Sequence, residues 1–82
     1  MTRTSTALDL LAPGTSARLA EPDPSLEPTF REHLAAYGLV PGHVVTVLAQ
    51  RPMTVVLCDH VELALEAVVA RKLRVEAPLP QG

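Results

Sequence analysis

The sequence predicts a mainly β fold, a small closed or nearly closed barrel with one helix plugging an end. Three observations lead there. Apolar and polar residues alternate over several short stretches, which is the period of a half-buried strand. Two runs rich in β-branched residues, 44–50 and 53–58, flank Arg51-Pro52 and form a hairpin. One stretch alone, residues 30–37, keeps helical spacing over two turns. Short strands that outnumber helices pack most economically as a small barrel.

In chain order, Thr6-Ala7-Leu8-Asp9 has the form of a capping box opening a helical turn, with Thr6 as N-cap. Pro13-Gly14 ends it. Residues 15–20 alternate, with Ala17 and Leu19 on the apolar face of a strand. Pro22, Pro24 and Pro28 make residues 21–28 an exposed loop, since no ladder tolerates prolines at this density. Thr29-Phe30-Arg31-Glu32 is a second capping box, and Phe30, Leu34 and Tyr37 follow as an apolar stripe. Gly38 stands where a left-handed helix end is wanted. After the hairpin, Val61, Leu63 and Leu65 alternate as a strand, and residues 67–72 make a helical turn ending in Arg71 and Lys72. Leu73 and Val75 form a last strand. The expected organisation is a flexible start (residues 1–7), one domain (8–76) and a tail (77–82).

Composition excludes several classes of function. The chain has 82 residues, 48% hydrophobic and 20% charged, which allows one small globular domain. A net charge of −2 and only two aromatic residues, Phe30 and Tyr37, argue against a nucleic-acid partner. Arg71-Lys72-x-Arg74, the one basic cluster, is a solvated helix end. Cys58 is the single cysteine, so an internal disulfide and a structural zinc motif are both ruled out. With no apolar run near the ~20 residues of a membrane span and no signal-peptide pattern, the expectation is a cytoplasmic protein without membrane insertion. There is no nucleophile elbow and no glycine-rich phosphate loop, and so short a chain has little interior for a catalytic pocket. The expectation is a non-enzymatic protein with no cofactor.

Two constellations remain. His43, Cys58, Asp59 and His60 are the only residues that could form a metal site. Cys58-Asp59-His60 places Cys58 and His60 on the same strand face, because side chains alternate. With Arg51-Pro52 as a two-residue turn, a register in which Pro52 needs a cis bond, His43 pairs with His60. With Pro52 at the first central turn position, His43 meets Glu62 and the site opens. A thiolate with two imidazoles, His43, Cys58 and His60, suits zinc or a related transition metal. The second constellation is the hairpin, apolar on both faces. If Val45, Val47, Val55 and Leu57 point inward, then Val44, Leu48 and Val56 point out. The opposite parity leaves a different but still apolar set exposed. A docking ridge would then comprise Leu48 and Val56 with Arg51, Pro52 and Met53 at the tip. An uncovered hairpin edge could also drive homo-oligomerisation.

The chain resembles the FeoA family, ferrous iron transport protein A, over roughly residues 8–76. The matching features are Leu10 with Pro13-Gly14, the helix residue Leu34, and the central Gly38-Leu39-Val40-Pro41-Gly42 followed by Val44 and Val47. Pro52 at the hairpin tip, Leu63-Ala64-Leu65, and Ala70, Leu73 and Val75 complete the pattern. His33 and Tyr37 stand where the family usually has arginine and leucine. A glycine near His60 and an arginine near Glu66 are missing. The resemblance implies an SH3-like barrel with one or two short helices. It implies a non-enzymatic accessory protein of bacterial ferrous iron uptake, acting on the cytoplasmic G-protein domain of the membrane transporter FeoB. The alternative function is a metal-binding or metal-sensing SH3-like domain using His43, Cys58 and His60.

Overall fold

The computed structural model describes residues 5–76. The mainly β class holds. Six strands form two antiparallel sheets, accompanied by two short helices and one 3-10 turn. Strands β2 (Ser16–Arg18), β3 (Val44–Ala49), β4 (Thr54–Cys58) and β5 (Val61–Leu65) make a four-stranded sheet in chain order. Strands β1 (Ser5–Ala7) and β6 (Arg74–Glu76) pair into a second sheet. Helix α1 spans Pro28–Ala35, and helix α2 spans Ala67–Lys72.

The expected barrel does not close. β2 runs on into a single antiparallel bridge between Leu19 and Val75, and the Ala20 N–H donates to the Arg74 carbonyl at 2.9 Å. These contacts hinge the two sheets together along one side. Among the described residues, β5 and β1 keep open outer edges. The hairpin strands β3 and β4 each have a neighbour on both sides, so the expected self-association through a hairpin edge has no edge to use.

Ser5–Ala7 were expected in a flexible start and a capping box. They form β1 instead, with Ser5 opposite Glu76 and Ala7 opposite Arg74. Ala7, not Thr6, precedes the 3-10 turn Leu8–Leu10, and no side chain caps it. The rest of the flexible start (residues 1–4) and the tail (77–82) lie outside the described residues. The second capping box also fails to form. Pro28 takes the first turn of α1, its fixed φ already helical, so the helix starts after Glu27 and passes Thr29 by. Of the expected stripe only Leu34 is buried; Phe30 and Tyr37 are about half exposed. Leu26 and Leu39, on either side of the helix, fill the core positions in their place. The proline loop crosses the base of α2, where the Asp23 N–H donates to the Lys72 carbonyl at 2.8 Å.

The core lies between the sheets. Ala17, Val45, Val47, Val56 and Cys58 point into it from the larger sheet, Val75 from the smaller one, and Leu8, Leu34, Ala70 and Leu73 close it. Gln50 locks the hairpin tip to this core. Its Nε2 donates to the Leu8 and Leu11 carbonyls at 3.1 and 2.7 Å, while its Oε1 accepts from the buried Thr54 hydroxyl at 2.7 Å.

Candidate functional site

The hairpin register decides which residues face outward. Thr46 lies opposite Leu57 and Val47 opposite Val56, but Ala49 lies opposite Val55. One extra residue, Leu48, is inserted into β3 as a bulge, so that Leu48 and Ala49 together oppose Val55; Leu48 faces outward, in alternation with the inward Val47. Below the bulge, the register is the one set by a two-residue Arg51-Pro52 turn, and the Arg51-Pro52 bond is cis.

Val56 shares the inward face with Val47 and is wholly buried, so it is removed from the expected docking ridge. Leu48 is 40% exposed, Arg51 and Pro52 are exposed, and Met53 is half-buried. The outward set is Val44, Thr46, Leu48, Val55 and Leu57, joined by the exposed Ala64 opposite Val55. Val44 and Leu48 expose about two-fifths of their surface, and Val55 and Leu57 lie half-buried between them. A polar pair interrupts this face between Val44 and Leu48, where the Ser16 and Thr46 hydroxyls bond at 2.7 Å.

At the other end of the same hairpin, two side chains and a backbone N–H converge on one backbone carbonyl. The chain leaves α1 through a pair of bonds, Gly38 N–H to Ala35 and Leu39 N–H to Leu34, both 3.0 Å. That closure needs a left-handed residue, and Gly38 supplies it with φ +91°. The Gly38 carbonyl then accepts from the Val40 N–H at 2.9 Å, from His43 Nδ1 at 2.6 Å and from the Cys58 thiol at 3.5 Å. A carbonyl can only accept, so Nδ1 carries a proton, and it is Nε2 that holds the lone pair whenever the ring is neutral.

Asp59 completes the group. One ligand atom from each of His43, Cys58 and Asp59 falls within 4.8 Å of the others. Cys58 is buried, whereas His43 and Asp59 are exposed. Burial, and secondarily the Asp59 carboxylate, push the Cys58 thiol up from its ordinary range. His60 is not part of the group. β4 ends at Cys58, and Asp59-His60 is a two-residue turn, with Cys58 pairing Val61 across it. Asp59 takes a left-handed φ of +56°, which aspartate tolerates in tight turns. The chain thus turns before His60 can line up with His43. An Asp-x pair between two β-branched runs carried the signal for this turn in the sequence.

The FeoA domain matches residues 6–77 of this chain. The chain belongs to the FeoA family. This FeoA-family chain superposes on the crystal structure of an iron uptake regulatory protein, FeoA, with a TM-score of 0.79 and 21% identity, covering 93% of this chain and 99% of that one. The solution structure of the FeoA protein from Chlorobium tepidum gives 0.78 at 27% identity, covering 87% and 69%. The T. acidophilum IdeR structure gives 0.82 at 20% identity over 93% of this chain, which spans only 35% of that protein. No curated protein matches by sequence. At such identities, the first and third of these likenesses concern the fold.

Proposed function

We propose that this chain is a non-enzymatic accessory protein of ferrous iron uptake, working in the cytoplasm by docking onto the G-protein domain of the transporter FeoB. Membership of the FeoA family carries this reading. The outer sheet face supports it. Val44, Leu48, Val55 and Leu57 form an apolar patch on a rigid ladder, interrupted by the Thr46 hydroxyl and with Arg51 and Pro52 exposed at one end. An apolar face of this kind on a small domain is what a partner covers. Among the described residues no helix is long and apolar enough to cross a membrane. The action is binding energy: docking shifts the partner between states only as far as it favours one of them.

The test is a calorimetric titration of the chain into the isolated FeoB G-protein domain. Leu48→Asp, exposed at the bulge, is expected to weaken binding about tenfold or more, in the range of a hot-spot truncation. Its thermal midpoint should match that of the parent. Equal affinities for parent and variant would remove the outer face as the docking surface. Absence of binding by the parent would remove the partner.

A further inference from the structure

We propose that His43, Cys58 and Asp59 form a site for one divalent first-row transition metal ion, gathered around the Gly38 carbonyl. The inference is independent of the docking surface, which lies on the outer face of the sheet.

The donor set is mixed: one thiolate sulfur, one imidazole nitrogen and one carboxylate oxygen. Sulfur and nitrogen together disfavour magnesium and calcium, and select zinc and its neighbours. Thiolate and carboxylate also supply two negative charges, which balance a divalent ion. Three protein ligands leave a fourth position open to solvent or to an incoming ligand, the pattern of a labile or reactive site.

The geometry lies close to closure. Ligand atoms around a tetrahedral ion with bonds of about 2.0–2.3 Å stand about 3.3–3.8 Å apart. Here one ring nitrogen of His43, the Cys58 sulfur and one Asp59 oxygen lie within 4.8 Å of one another, and side-chain rotation has to bring Nε2 and the other two donors to bonding distance. The backbone is already fixed. Gly38 is held by the helix closure, and His43 by its N–H bond to Val40 and its carbonyl's bond from Leu19 at 2.7 Å. Cys58 ends β4 and Asp59 opens the two-residue turn that follows it. An imidazole whose Nδ1–H donates to a backbone carbonyl is oriented as metal-binding histidines commonly are.

Without metal, the thiol donates its proton to Gly38. When the ion binds, the sulfur–metal bond forms as the S–H bond breaks, and the proton leaves to solvent. The carbonyl keeps its bonds from His43 and Val40. A side chain at position 38 would crowd the same space, since a Cβ there would stand 3.3 Å from Cys58 Sγ and 3.5 Å from His43 Nδ1.

The test uses the full chain, anaerobic and reduced, titrated with cobalt(II) and followed by absorption. Expected are a thiolate-to-cobalt charge-transfer band and tetrahedral d–d bands, saturating at one ion per chain and displaced by zinc(II). A parallel ferrous iron titration by calorimetry should show weaker binding than zinc, following the general order of divalent affinities. Cys58→Ser should abolish the charge-transfer band. His43→Ala and Asp59→Asn, both at exposed positions, should each weaken zinc binding by more than the ~10–100-fold typical of an outer hydrogen-bonding partner. His60→Ala should leave the titration unchanged. A spectrum of hydrated cobalt only, at saturating metal and with the chain folded, would overturn the proposal. So would binding that survives His43→Ala and Asp59→Asn but is lost in His60→Ala.

Discussion

The Gly38 carbonyl is where helix end, loop and sheet meet. It accepts from a backbone N–H, an imidazole and a thiol, and the residue holding it sits at φ +91°. Gly38→Ala is therefore expected to destabilise the fold by about 1–2 kcal/mol for the left-handed backbone alone. The 3.3 Å approach to Cys58 Sγ adds to that cost. Denaturant midpoints of the two proteins measure it. Cys58 makes stability depend on pH. Its thiol is pushed up in the folded chain by burial first and by Asp59 second, so the unfolded chain releases its proton first as pH rises. The thiol's contribution is complete below its ordinary range and is lost as pH climbs through that range towards the raised folded value. Urea midpoints measured at a series of alkaline pH values should fall for the parent. In Cys58→Ala that part of the decline should be absent.

The β3–β4 hairpin shows at the level of elements what side-chain pattern can and cannot specify. Two β-branched runs around Arg51-Pro52 located both strands, and alternation put Val45 and Val47 on one face without deciding which face is inward. The bulge at Leu48 left no such mark, because an apolar residue suits either face of the ribbon. With it went the orientation of Val56, which is core rather than surface. Capping boxes at Thr6 and Thr29 misled for two different reasons. Ser5–Ala7 pair with residues about seventy positions away, and that long-range ladder overrides a local cap signal. At α1, Pro28 moves the helix start ahead of Thr29. Gln50 was legible only as a strand end, yet it bonds two carbonyls of the N-terminal turn and the buried Thr54 hydroxyl. Gln50→Ala leaves these groups unsatisfied and is expected to cost about 1–3 kcal/mol, read from equilibrium urea unfolding. In the metal cluster, His43 and Cys58 were visible in the sequence. Asp59 in place of His60 required knowing that the chain turns at position 59.

Across the whole molecule, two small sheets share one core and are hinged by the Leu19–Val75 bridge. The inner face of the larger sheet is consumed by that core. Its outer face carries Val44, Leu48, Val55 and Leu57 around the Thr46 hydroxyl, so the domain keeps a partly exposed, largely apolar patch there. Docking through this face is the central claim, and amide shift mapping tests it most directly. The isotope-labelled chain is observed while unlabelled FeoB G-protein domain is added. The expected result is perturbation along residues 44–48 and 55–57 and at Arg51, with α1 and α2 little changed. Perturbation confined to the two helices, with the outer strand face unmoved, would contradict the account.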